Sequence, residues 1–286
     1  MTHPRLSLNQ ATIKYAALDE ALAVTAAAGY ESIGLWREPV QEVGIPDAVR
    51  RVADSGVRVS SLCRGGFFTV EEGPARRAAI DDNRRALDEA SALGAPALVL
   101  VAGGLPQGSR DLVGARSRVR DALGELAAHA RATGVTLAIE PLHPMYAADR
   151  AVVSTLAQAL DLAADFEPGE VGVVVDTFHV WWDPALEQSV RRAGAEGRIA
   201  SYQVCDWVTP LPADVLLARG YPGDGHIDFT PITELVEEVG YTGDIEVEIF
   251  NQSVWDAPFT DVARITAERF DALVAPHLRP VPAPVA

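Results

Sequence analysis

The chain has 286 residues, 48% of them hydrophobic, with 24 Lys and Arg against 40 Asp and Glu for a net charge of −16. One α/β barrel of about 250 residues fits that length without a second domain; no stretch reaches the ~18 uninterrupted apolar residues of a membrane span; and so acidic a field repels phosphate backbones, which excludes a nucleic-acid partner. Two cysteines, Cys63 and Cys205, neither in a CxxC spacing, exclude a disulfide scaffold and a structural zinc–thiolate site, and they place the protein in a reducing cytoplasm.

The N-terminus lacks a basic segment followed by a long apolar one, so no secretory signal is expected. The single lysine, Lys14, argues against a Schiff-base mechanism. No GxxxxGK[ST] motif occurs, and no GxGxxG follows the first strand, so nucleotide cofactors have no motif support.

In chain order, residues 5–9 read as the first strand and the alanine-rich 18–28 as a helix stopped by Gly29. Strand two (32–36) leads to a helix over 46–54, with Pro46 in its first turn and Gly56 just past its end. Strand three (57–62) runs into a loop over 63–69, then a long helix over 75–93 closed by Gly94. Strand four (97–101) is followed by a glycine-rich segment and a helix over 112–133, with Gly134 at its stop. Strand five (135–140) pairs with a helix over 152–164, and strand six (171–175) with one over 184–193. Strand seven (199–204) opens a long loop to Asp228 before a helix over 231–239; strand eight (244–249) precedes a last helix over 261–274.

Alternation of this kind gives a parallel sheet, and eight such units close as a (β/α)8 TIM barrel. The expectation is a single α/β domain over residues 1–275. The competing open doubly wound sheet commonly has fewer strands. Residues 276–286 form a proline-rich tail, read as an extended arm.

Four strands end in the same grammar. Val171-Gly-Val-Val-Val-Asp176-Thr-Phe-His179 is an apolar run that stops at a carboxylate, with an imidazole three residues on. Glu140 ends strand five, Gln203 and Asp206 close strand seven, and Glu248 ends strand eight. A barrel gathers its strand C-termini at one rim, where its chemistry sits. Three carboxylates and an amide oxygen there would repel one another without a cation and form a hard, all-oxygen set. Glu140, Asp176, Gln203 and Glu248 are therefore read as ligands of one divalent ion, Mn2+ or Mg2+ before Zn2+ or Co2+. Glu246 faces the same side of strand eight, but Glu248 lies nearer the rim. Taken singly, such a residue is as often a helix cap.

His179 is expected to touch substrate, and His143 to act as a base or substrate contact. Asp206 would orient a hydroxyl or fix a ligand. Trp36, Trp181 and Trp182 would wall a sugar face or simply fill core, and Arg64 is an open candidate for substrate contact.

Taken together, these motifs resemble the xylose-isomerase-like TIM barrels of the sugar (phosphate) isomerase/epimerase superfamily. That group includes ketose 3-epimerases, hydroxypyruvate isomerase, inosose dehydratase and, more remotely, the family 2 apurinic endonucleases. The resemblance covers residues 5–275. It rests on Ile139-Glu140-Pro, Asp176-Thr-Phe-His179, Tyr202-Gln203-Val-Cys-Asp206, Pro222-Gly-Asp-Gly-His-Ile-Asp-Phe229 and Gly240-Tyr-Thr-Gly-Asp-Ile-Glu-Val-Glu248. It implies the same four metal ligands, His179 as a substrate contact, and Arg219, just before the Pro-Gly-x-Gly loop, as another. Two departures stand out: ketose 3-epimerases have His where this chain has Gln203, and a second Glu where it has Tyr146.

The expected function is divalent-metal-dependent isomerisation or epimerisation of a keto- or aldo-sugar, by proton transfer through a metal-stabilised enediolate. Glu140, Glu248 or His143 would move the proton. The alternative is a lyase, of the inosose-dehydratase or 3-keto C-glycoside deglycosidase kind, with His143 as base. A small sugar, non-phosphorylated given the single lysine, is the expected partner, in a homo-oligomer or, for the lyase, with a partner subunit. A non-catalytic sugar-binding barrel is the third reading.

Overall fold

A computed structural model describes residues 3–279. Its strands are β1 (Leu6–Asn9), β2 (Ser32–Trp36), β3 (Arg58–Gly66), β4 (Ala97–Val101), β5 (Thr136–Glu140), β6 (Val171–Asp176), β7 (Ile199–Val204), the short β8 (Asp206–Trp207) and β9 (Arg219–Gly220), and β10 (Ile245–Val247). Eight of them close into a barrel in the order β1-β10-β7-β6-β5-β4-β3-β2. Every barrel pairing is parallel. The TIM barrel expected from the alternation is therefore what the chain forms.

The strands are apolar runs because both of their faces are covered. All six residues of β6 are buried, and so are all five of β4. Helices wrap the outside: Leu18–Ala27, Ile45–Ser55, Pro74–Ala92, Leu112–Thr133, Leu156–Ala163, Leu186–Ala195, Phe229–Glu238 and Phe259–Leu273. Side chains start several of them. Asp111 accepts from the Gly114 amide, Thr155 from Gln158 and Asp228 from Thr230. Gly134 ends the Leu112–Thr133 helix in the left-handed region at φ 73°. Among the described residues no helix is long and apolar enough to cross a membrane.

Three features depart from the expected segmentation. A short helix, Arg37–Val43, follows β2 directly, fixed by Arg37 on Asp82 and Glu89 of the Pro74–Ala92 helix. β3 runs through Gly65 and Gly66, which pair with Leu100 and Val101 of β4. Asn83 of the Pro74–Ala92 helix holds that extension, accepting from the Gly66 amide at 2.7 Å and donating to its carbonyl at 2.9 Å. Part of the long loop after β7 forms an antiparallel hairpin, Asp206 opposite Gly220 and Trp207 opposite Arg219. The tail begins as a 3-10 turn, Ala275–His277, docked on the Phe229–Glu238 helix through His277 to Thr230 and Glu234 and the Arg279 amide to Glu237. Residues 280–286 of the expected arm lie outside the described residues.

Candidate active site

The strand ends converge as the barrel requires. Glu140 closes β5, Asp176 closes β6, Gln203 lies opposite Asp176 in the β6–β7 register, and Glu248 follows β10. All four are buried. Asp176 also caps the short helix Thr177–Val180 by accepting from the Phe178 amide at 2.8 Å, which puts His179 one turn above it. The β8–β9 hairpin delivers Arg219 into the same space. Its guanidinium donates to Asp176 at 3.0 Å and Glu248 at 2.9 Å, between the rings of Phe178 and Phe250.

The electrostatics follow from this crowding. Burial, then repulsion by Glu248 and Asp176, pushes the Glu140 carboxyl well above the usual range. Burial raises Asp176 against the pull of Arg219. It pushes Glu248 up to about 7, again opposed by Arg219. Burial and then Arg219 hold His179 well below an ordinary imidazole. His179 Nδ1 lies 3.1 Å from the His143 amide, which can only donate, and Nε2 lies 2.9 Å from Arg219 Nη2, also a donor. A neutral imidazole accepts at one nitrogen only. Only one of the two contacts is therefore a hydrogen bond: with Nδ1 accepting from the backbone, Nε2 carries the proton, and with Nδ1 protonated, Nε2 accepts from Arg219 or takes a cation.

The donor set fits a divalent cation. Single ligand atoms of Glu140, Asp176 and His179 all lie within 4.8 Å of one another. Gln203 Oε1 is buried with no hydrogen-bond partner, which leaves a hard acceptor unsatisfied. Three carboxylates outweigh the single guanidinium. In this compact trio His179 stands where the sequence reading had Glu248, and Glu248 is tied to Arg219.

Glu140, Glu248, His179, Arg219 and Trp36 line one cavity of about 310 Å3 at the rim. His143, read from the sequence as a base or substrate contact, is not among the residues that line it. Its ring packs 4.9 Å from Trp207 and 5.4 Å from Trp182, and its Nδ1 accepts from the Met145 amide. Asp206 does not line the cavity either. Its carboxylate accepts from the amides of Trp207, Gly223, Gly225 and Ile227, so it organises the Pro-Gly-Asp-Gly loop and has no oxygen turned to a substrate. Trp181 and Trp182 lie off this cavity. Glu246 is absorbed in the barrel interior by Asn9 and Ser60.

Arg64, singled out in the sequence, lines the cavity, and so do Arg150, Leu216 and Phe250, which the sequence did not reveal. Arg150 sits in an irregular loop ten residues past Glu140, where no periodicity or motif marks it.

Comparison with known proteins agrees with this architecture. The chain is similar to a solved protein from Sinorhizobium meliloti 1021, 46% identical with a TM-score of 0.91, covering 94% of this chain and 98% of that one. It is 28% identical over 247 residues to the L-ribulose 3-epimerase of Mesorhizobium japonicum, covering 84% of this chain and 77% of the relative. It is 29% identical over 252 residues to the 3-dehydroshikimate dehydratase of Pseudomonas aeruginosa, covering 84% of this chain but only 37% of that longer relative. A family model described as a xylose isomerase-like TIM barrel matches residues 22–273. With that match spanning most of the barrel and its rim of strand-end polar residues, the chain belongs to the xylose isomerase-like TIM barrel family.

Proposed function

We propose that the protein is a divalent-metal-dependent isomerase or epimerase of a small keto- or aldo-sugar, moving a proton on the carbon next to a carbonyl. The observation that carries this reading is the buried cluster of Glu140, Asp176 and Glu248 beside His179 and an unsatisfied Gln203 Oε1, of which Glu140, Glu248 and His179 line the cavity. Glu140, Asp176, Gln203 and Glu248 would hold a divalent ion, which would supply Lewis-acid polarisation of the substrate carbonyl. Mn2+ and Mg2+ suit the oxygen-rich set.

The chain's own side chains do the rest. His179, in the tautomer protonated at Nε2, presents Nε2–H to a substrate oxygen. Arg219 donates to a second oxygen on which negative charge develops. Glu248 and Glu140 are the two carboxylates at the inner end of the cavity able to take or return the proton. Trp36, Phe250 and Leu216 exclude water from the wall. Cys63 and Cys205 are free and buried, which supports a reducing cytoplasmic setting.

A lyase is the second reading, favoured by Tyr146. It stands where ketose 3-epimerases carry a second glutamate, and its buried hydroxyl has no partner. With His143 off the cavity, Glu140 or Glu248 would be the base here as well.

The test is turnover of keto-sugars in D2O with Mn2+ or Mg2+, followed by mass spectrometry. Deuterium uptake by product of otherwise unchanged mass supports isomerisation or epimerisation, and loss of water supports the lyase. Metal-loaded native protein that exchanges no proton with any carbonyl sugar would sink both readings.

A further inference from the structure

Farther out, the wall of the cavity changes sign. Arg64, at the end of β3, and Arg150, in the loop after β5, line it together with Trp36, Leu216 and Phe250. The same five residues line a second cavity of about 430 Å3, which also carries Lys14, the only lysine in the chain, and, against these three cations, Glu38 and Glu42. Arg64 and Arg150 thus border both spaces.

Their guanidinium groups differ from most arginines here. Arg37, Arg58, Arg76, Arg191 and Arg192 each reach a carboxylate within 3 Å. Among the described residues Arg64 makes no ion pair and no side-chain hydrogen bond. It lies over rings, 4.9 Å from the centroid of Phe67 and 5.7 Å from that of Trp36. Phe67 adopts φ 61°, the one positive φ of a non-glycine residue among those described. A bulky side chain rarely takes that conformation without surrounding structure to impose it. Hydrogen bonds from the Phe67 amide to Val101 and from the Phe68 amide to Ala102 hold it there, under Arg64. Arg150 forms only long ion pairs, Nε with Asp149 at 3.7 Å and Nη2 with Asp214 at 3.8 Å, and its buried Nε makes no hydrogen bond.

In a chain with 40 acids to 24 bases, a guanidinium such as Arg64's, stacked on rings at a cavity wall with no carboxylate paired to it, is held for an anion from outside, and Arg150 beside it is tied to carboxylates only by long ion pairs without a hydrogen bond. The planar fork matches a carboxylate or phosphate. We propose that the substrate carries such an oxyanion at the end remote from its reacting carbons, and that Arg64 and Arg150 bind it where the two cavities meet. This rests on the reading of the rim as a sugar site and narrows it to acidic or phosphorylated sugars.

The test uses three six-carbon probes of matched shape: sorbitol, gluconate and sorbitol 6-phosphate. Calorimetric titration is run on protein freed of divalent ions by dialysis, so the result does not depend on metal or turnover. The native protein is expected to bind one of the two anions at least about tenfold more tightly than sorbitol, and the preferred anion says which oxyanion the site takes. Arg64→Gln and Arg150→Gln each lose that preference. Arg84→Gln, at an exposed pair with Asp81, keeps it. Equal binding of all three probes, binding of none, or a preference that survives both cavity variants overturns the proposal. Any of these results leaves the rim reading standing, provided that proton exchange is seen with a neutral keto-sugar. Absence of that exchange with anion preference intact counts against the rim reading alone.

Discussion

Replacing Asp206 by alanine removes the acceptor for four backbone amides, those of Trp207, Gly223, Gly225 and Ile227, all between 2.8 and 2.9 Å. Trp207 and Ile227 are buried, whereas Gly223 and Gly225 lie in the loop near solvent. Water can replace the carboxylate at the two glycines but not at the two buried amides. An unpaired buried donor costs ~1–3 kcal/mol, so Asp206→Ala should destabilise the fold by about 2–6 kcal/mol. Asp206→Asn keeps the volume and one acceptor oxygen but turns an NH2 toward other donors, and should fall between native and alanine. The hairpin that holds this loop also carries Arg219, so a loosened loop should weaken whatever the guanidinium binds. Urea unfolding of the three metal-free proteins measures the effect. An Asp206→Ala protein within about 0.5 kcal/mol of native, yet unable to bind substrate, would refute this reasoning and return Asp206 to direct substrate contact.

Arg219→Met strands the carboxylates of Asp176 and Glu248. Without metal it should lose about 3–5 kcal/mol, while saturating Mn2+ should raise its Tm more than that of native protein, because the ion no longer competes with a guanidinium; an equal rise in both proteins contradicts this. Asp176→Asn and Glu248→Gln should both lower the divalent metal found by elemental analysis. The loss should be greater for Asp176→Asn, since Asp176 belongs to the compact trio with Glu140 and His179; native-like metal content in Asp176→Asn rules the site out. Gly66→Ala should destabilise by at least ~2 kcal/mol, because φ 110° is strained for alanine and its Cβ would meet the Val101 carbonyl; a thermal midpoint equal to that of native protein would show that the β3 extension is not held as described.

The barrel was legible because its strands obey a local rule. A strand covered on both faces must be apolar throughout, so Val171–Val175 and Ala97–Val101 announce themselves, and Asp176, the polar residue ending the first run, marks the rim. The same rule made Glu140, Asp176, Gln203 and Glu248 visible as a group. What stayed hidden depends on partners far along the chain. Gly65-Gly66 looks like a loop until Asn83, seventeen residues on, pairs with its backbone. Asp206 looks like a site residue because its four donors are main-chain amides, which carry no sequence signal. His143 has the right spacing from Glu140, but an aromatic cluster of Trp182 and Trp207 holds its ring elsewhere.

The two walls of the cavity together imply a direction. The inner wall carries Glu140 and Glu248 beside Arg219, and the outer wall carries Arg64 and Arg150 with Asp149. A substrate with an anionic tail meets different groups at its two ends. Reversed, it would leave both outer arginines without the anion and bring that anion among the groups that hold the ion. The arginines would therefore act before any chemistry, by fixing which end of the molecule reaches Glu248, and a neutral sugar of the same size would bind in both senses and react more slowly.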